Sequence, residues 1–358
     1  MNAKIAAVLV LLLVVLGGGA LLVRQQGAAP QRPADVGALG QPLLKGLKGA
    51  EVAGIAIRDP KSSLTLARKD ERWVIAERAG FPADFDKVRD FVLKAIELKS
   101  TRSEPVGEAD RKRLQLDESG TSVEFRAADG KPLARLIAGR KYFKTEPEKP
   151  ESARGDGRFV LLPGDEKTVH VVSDPLAQAS TASADWVSRA GFAAEGVRSL
   201  DYRPAEGEGW KIERSGDNAD WKISPLKPGE KLEVTKANAA SYSLNSIDLA
   251  DVAPPGAKPE DTGLARPTTL VATTFDGLTY TIKLGKPSGE NYYAAVAVAG
   301  EPKPQGKDAE ERLKKLGERL PRERALAEHV LLLPKSKFED ILKKRADLLQ
   351  AKDAKKQK

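Results

Sequence analysis

The chain contains no cysteine. That absence excludes disulfides, zinc–thiolate sites, iron–sulfur clusters, thiol nucleophiles and the acylated cysteine of a bacterial lipoprotein. It does not assign a compartment, although it is compatible with an oxidising one. Histidine is nearly as scarce: His170 and His329 are the only two. Neither has an H-x-x-x-H partner or a carboxylate cluster beside it, so a two-histidine metal site has no support. His170 lies in the alternating run Thr168-Val169-His170-Val171-Val172, just before Ser173 and Asp174. Neighbours along a strand point to opposite faces, so these three side chains cannot form a catalytic relay. Asp174-Pro175 reads better as a helix cap with proline at the first helical position. Aromatic residues make up only 5% of the chain, so its cores must be mostly leucine, valine, isoleucine and alanine. The catalytic, cofactor-binding and metal-ligating sets are all expected to be empty.

Hydrophobic content of 41% over 358 residues suffices for two globular domains. The formal net charge is +8, but residues 335–358 hold nine basic and four acidic side chains, more than half of that excess. The remaining body is not a basic surface looking for nucleic acid. The tail reads as a solvated, partly frayed end, with a specific anion contact as the alternative.

Long apolar runs are absent except at residues 5–23, IAAVLVLLLVVLGGGALLV. Nineteen residues rising about 1.5 Å each span roughly 28 Å, close to a hydrocarbon core of about 30 Å. Lys4 precedes the run and Arg24 stops it. A short basic N-terminus stays in the cytoplasm, which places the body on the extracytoplasmic side of the inner membrane. Residues 1–24 therefore read as a single-pass anchor. The competing reading is a cleaved signal peptide, with small-residue sites at residues 17–20 or at Ala28-Ala29. Residues 25–50, rich in Gly, Ala, Pro and Gln, read as a flexible linker.

The body repeats itself. Trp73 and Trp221 stand 148 residues apart, Asp129-Gly130 and Asp276-Gly277 147 apart, and Gly139 and Gly285 146 apart. A near-constant offset over three landmarks predicts two tandem copies, 51–190 and 191–350, followed by a basic tail at 351–358. In the first copy, Ile55, Ile57, Leu64, Leu66, Trp73 and Ile75 mark three half-buried strands. Asp84 caps a helix whose apolar stripe is Val88, Phe91, Val92, Ala95 and Ile96. A spacer with Pro105 follows. Residues 121–128 and 131–138 form a hairpin on Asp129-Gly130, predicted as a type I′ turn. Strands at 159–162 and 169–172 complete the copy.

The second copy predicts strands at 197–202, 210–214 and 221–224, a helix capped by Thr235, a hairpin around Asp276-Gly277 and a strand at 291–298. The run 329–334 is matched to 159–163. A charged insertion, 301–328, carries a helix at about 307–320 with Glu310/Lys314 and Glu311/Lys315 in the favoured order. That helix either rests on its own domain or docks a partner. Strands that do not alternate strictly with helices predict an α+β class: mostly antiparallel sheets with a helix on one face of each. Gly139-Arg140-Lys141 and Gly285-Lys286-Pro287 lack phosphate-loop spacing. Their glycines predict a bulge or a positive φ at a strand end, with a repeated anion site as the alternative. The four tryptophans read as core residues rather than sugar-stacking platforms.

These residues resemble a known family. The blocks RWVIAERAGFPADFDKVRDFVLKAIELK, LQLDESGTSVEFRAADGKPLARLIAGRK and RFVLLPGDEKTVHVVSD, with ADWVSR after them, are similar to the family of domains of unknown function catalogued as DUF 4340. DWKISPLKPGEKLEVTKANAASYSLNSIDLADV and TGLARPTTLVATTFDGLTYTIKLGKP carry the likeness into the second copy. The resemblance implies a bacterial, membrane-anchored protein, often encoded beside gliding-type ABC export systems, with an auxiliary envelope role. It brings no catalytic residues. The expected function is a non-enzymatic, membrane-tethered accessory protein that needs no cofactor or nucleic acid and contacts an integral-membrane transporter or envelope complex. An envelope glycan or ligand-binding module and a hydrolase built from carboxylates alone are the alternatives.

Overall fold

The computed structural model describes residues 40–350. The anchor, most of the linker and the tail at 351–358 lie outside the described residues. Among the described residues no helix is long and apolar enough to cross a membrane.

Two antiparallel sheets, of nine and eight strands, and a few helices make an α+β protein. In chain order the first strands are β1 (Gly54–Arg58), β2 (Ser63–Lys69), β3 (Arg72–Ile75) and β4 (Phe81–Pro82). Helix α1 (Phe85–Glu97), β5 (Ser100–Pro105) and helix α2 (Glu108–Arg113) follow, then β6 (Thr121–Arg126), β7 (Pro132–Tyr142), β8 (Gly157–Leu162) and β9 (Asp165–Val172). The second series is β10 (Val197–Arg203), β11 (Trp210–Glu213), β12 (Lys222–Ser224), α3 (Val234–Tyr242), β13 (Asp251–Val252), α4 (Pro259–Thr262), β14 (Thr268–Thr274), β15 (Thr279–Ser288), β16 (Asn291–Ala299), α5 (Ala309–Ala325) and β17 (Leu331–Pro334).

The nine-stranded sheet has the order β4-β3-β2-β1-β6-β7-β8-β9-β5, and the eight-stranded sheet β12-β11-β10-β14-β15-β16-β17-β13. Apart from β4, the two orders match place for place. The described residues fall into two compact units. The smaller, 40–45, 97–120 and 136–176, holds α2, β5, β8, β9 and most of β7. Its apolar centre is Leu114, Leu116, Leu161 and Val169, flanked by Val106, Ile137 and Phe159. The larger, 46–96, 121–135 and 177–350, holds β1–β4, β6, α1 and all of the eight-stranded sheet. There Phe91 of α1 packs on Phe125 of β6 and edge-on against Trp186, with ring centroids 5.9 and 5.3 Å apart.

Local chemistry explains the elements and corrects several expectations. Asp84 caps α1: its Oδ1 accepts the N–H groups of Asp86 and Lys87 at 3.1 and 3.2 Å. Thr235 does not cap α3; Glu233 holds that place and Thr235 lies in the first turn, its hydroxyl donating to the Glu233 carboxylate. The Asp-Gly hairpins are not type I′. In both, the glycine alone is left-handed (φ +83° at Gly130, +84° at Gly277) and its N–H donates back three residues, to Ala127 O and Thr274 O. This is a type I turn closed by a left-handed glycine, the same in both sheets. Two consecutive positive φ values do occur at the β2–β3 turn, Asp70-Glu71, at +47° and +64°. The residues around Pro105 are no spacer but strand β5, paired with β9. Asp174 opens no helix; its Oδ1 accepts the N–H of Leu176 in a local turn.

The segment 329–334 is matched differently from expectation. β17 stands where β9 stands in the other sheet, and β16 takes the place of β8. The reason is the position of the insertion. β8 and β9 are joined by a tight turn with Gly164 at φ +102°, whereas α5 sits between β16 and β17. Nor is 335–350 frayed. Phe338, Ile341 and Leu348 are fully buried, and the Arg345 guanidinium donates to Pro225 O and pairs with Glu230.

Gly139 and Gly285 sit at β-bulges, as the sequence reading expects. The pairing register shifts between Ala138 and Lys141 and between Leu284 and Pro287. Both glycines let a short helix end approach closely. A Cβ on Gly139 would lie 2.2 Å from Leu114 O, and one on Gly285 2.1 Å from Thr262 O.

Candidate functional site

The residues with reactive potential are consumed in holding elements together. His170 on β9 places Nδ1 2.9 Å from Ser103 Oγ and 3.4 Å from Ser100 Oγ, both on β5. The Ser100 hydroxyl also donates to Arg102 O. All three side chains are buried, and burial holds the His170 imidazole below its usual pKa and therefore neutral. The cluster fastens β5 to β9. The partners are 67 and 70 residues away in sequence, not the adjacent Ser173 and Asp174.

A second buried cluster centres on Glu323, which is wholly buried on α5. Its carboxylate accepts the Tyr280 hydroxyl at 2.8 Å and the Ala193 N–H at 3.0 Å, with Arg319 Nε 3.4 Å away. Arg319 also donates to Ala193 O and pairs with Glu195. Desolvation raises the Glu323 pKa, and it raises that of the Tyr280 phenol as well. Sequence reading missed Glu323, yet Leu316, Leu320 and Glu323 fall at i, i+4 and i+7 on the buried stripe of α5. Arg312 of the same helix pairs with buried Asp276 at the hairpin tip. The insertion thus rests on its own domain.

One open cleft, a cavity of about 520 Å³, lies on the eight-stranded sheet beside the second Asp-Gly hairpin. Arg198, Lys211, Arg214 and Lys222 line it together with the hydroxyls of Ser199, Thr273 and Thr279. Lys211 is spent on Glu213 at 2.6 Å, and that bond holds the Glu213 carboxyl below its usual range. Arg214 donates to Val197 O at 3.0 Å, and its guanidinium lies over the Trp221 and Phe275 rings. Arg198 and Lys222 have no ion pair among the described residues. The cleft can attract an anion; it presents no paired nucleophile and base. Among the described residues no group of three His, Asp or Glu side chains comes together to hold a metal ion.

All four tryptophans are buried. Trp186 donates its indole N–H to Ser180 O, Trp210 to Lys343 O and Trp221 to Asn238 Oδ1. His329 faces Phe81 edge-on at 4.9 Å.

The family described as "Domain of unknown function (DUF4340)" matches residues 73–267. No curated protein and no solved structure matches the chain.

Proposed function

The chain belongs to the DUF4340 family of domains of unknown function, and from that premise we propose that it is a non-enzymatic, membrane-tethered accessory protein. In this reading its body stands on the extracytoplasmic side and works by contact with an integral-membrane transport or envelope complex. The body is a duplicated scaffold, a view supported by the matching strand orders and the paired bulge glycines.

One observation carries the reading. Among the described residues six large apolar side chains are exposed, and four of them fall at the same places on two helices. Phe85 and Leu93 are the first and ninth residues of α1; Val234 and Tyr242 are the first and ninth of α3. Isolated exposed apolar residues need no explanation, but a repeated pair suits a protein-binding ridge used twice. The apolar run at 5–23 supplies the tether, and the histidine and glutamate clusters are sealed structural fastenings.

Purification from mild detergent with the native N-terminus tests this. The wild type should carry an integral-membrane protein with it. A Phe85→Ser, Leu93→Ser, Val234→Ser, Tyr242→Ser variant should fold and lose it. A wild type that purifies as a clean monomer overturns the reading. The basic cleft favours a second reading, a binding module for an anionic ligand, but the burial of all four tryptophans weighs against a glycan-stacking site. The carboxylate-only hydrolase gains nothing from Glu323, whose raised pKa comes with complete burial.

A further inference from the structure

We propose that the bulge at Gly139 is a binding site for a phosphate group, carried either by a small soluble molecule or by a lipid headgroup. A cavity of about 360 Å³, toward the small end of ligand pockets, opens there between β7, β8 and the end of α2. Arg140, Lys141 and Arg158 line it. Lys141 Nζ donates to the carbonyls of Glu151 and Ala153, each at 2.9 Å. Arg158 donates Nε to Gly139 O at 2.7 Å and Nη1 to Pro175 O at 3.2 Å. Carbonyls orient these cations without neutralising them. None of the three forms an ion pair among the described residues. Glu151, the one acid on the wall, contributes its carbonyl, and its side chain is exposed. Burial with no acid to offset it depresses the Arg158 pKa.

The other sheet shows that the bulge does not need these charges. Lys141 pairs with Arg158 across β7 and β8; at the matching step of β15 and β16, Pro287 pairs with Tyr292. The same shifted register and the same close glycine are built there with one cation, Lys286, at the place of Arg140 and none at the places of Lys141 and Arg158. The charges of Lys141 and Arg158 are therefore surplus to the scaffold. Two guanidiniums and an ammonium around one space suit the several oxygens and the dinegative charge of a phosphate better than a carboxylate.

The full chain in detergent is challenged with inorganic phosphate, glycerol 3-phosphate and a short-chain phosphatidic acid, with potassium chloride at matched ionic strength as control. At least one phosphoryl probe should raise the thermal midpoint beyond chloride. Arg140 is exposed, so Arg140→Gln folds normally; it should weaken binding roughly ten- to a hundredfold, the loss of one charge-assisted bond. The Lys141→Pro, Arg158→Tyr variant, which installs the residues of the other sheet, should fold and lose the phosphate-dependent shift of this site. Preference for glycerol 3-phosphate over the lipid assigns a soluble ligand, and the reverse assigns a headgroup. No shift beyond chloride with any probe, or a shift undiminished in Arg140→Gln, overturns the proposal.

Discussion

Alanine in place of either bulge glycine is the sharpest test of how the sheets are built. At Gly139 the new methyl would lie 2.2 Å from Leu114 O and 2.8 Å from a Leu116 methyl. Relieving that needs the end of α2 to back away, an overpacking cost of about 1–3 kcal/mol. The retreat also strains the bond from Arg140 N–H to Leu114 O, now 2.9 Å, worth another ~0.5–1.5 kcal/mol. Gly139→Ala should therefore lose roughly 1.5–4.5 kcal/mol. At Gly285 the methyl would lie 2.1 Å from Thr262 O, and the clash alone predicts about 1–3 kcal/mol. Gly317, exposed within α5 with open space around its Cβ position, is the control. Gly317→Ala should gain about 0.5–1 kcal/mol through helix propensity. Urea titration of the full chain reads all three. The tryptophans, Trp73, Trp186, Trp210 and Trp221, all belong to the larger unit, so their fluorescence follows Gly285→Ala. Gly139→Ala needs far-ultraviolet circular dichroism, which also sees the smaller unit. If both bulge variants stay within about 0.5 kcal/mol of wild type, the close approach is not what selects glycine and the reasoning fails.

Three further outcomes follow from the geometry. Glu71→Gly should stabilise the β2–β3 turn by about 0.5–1 kcal/mol, because a Cβ at φ +64° costs more than glycine's added freedom in the unfolded chain; an unchanged denaturation midpoint counts against it. Glu323→Ala should cost about 3–5 kcal/mol by stranding the Tyr280 hydroxyl, the Ala193 N–H and the Arg319 guanidinium, while Glu323→Gln keeps one oxygen for the Ala193 N–H, offers its NH2 to the Tyr280 hydroxyl oxygen, and costs clearly less; equal losses would refute the hydrogen-bonding account. The Arg345 guanidinium, with help from the Lys227 N–H, holds the Glu230 carboxyl at about 2 against an ordinary 4.5. A depressed carboxyl stabilises above its unfolded value and loses that effect as pH falls, so the 335–350 segment should loosen between pH 4.5 and about 2. Trp210, whose indole bonds Lys343 O, reports this by fluorescence, and Glu230→Gln should abolish that acid step.

Local signals in the sequence were reliable where short-range chemistry decides the outcome. The Asp84 cap, the strand alternation through Ile55, Leu66 and Ile75, and the bulges at the paired glycines all stand in the structure. The turn type at Asp129-Gly130 and Asp276-Gly277 depends on loop length, which the dipeptide does not reveal. Thr235 lost the cap because the chain enters α3 two residues earlier. The serines on His170 and the partners of Glu323 come from distant elements, so no spacing rule could pair them. Lys343, Lys344 and Arg345 looked like a solvated run because charge is visible in sequence and a distant backbone acceptor such as Pro225 O is not.

The two Asp-Gly tips are alike in backbone and opposite in circumstance. Asp129 is exposed and bonds only Lys131, two residues on; Asp276 is buried under Arg312, and its carbonyl accepts the Lys303 N–H. A spectroscopic label or epitope threaded between Asp129 and Gly130 would therefore ride on a free arm and leave the fold alone. The same insertion between Asp276 and Gly277 would pry up α5, so only the first of the twin arms offers a handle for watching the protein in a living cell.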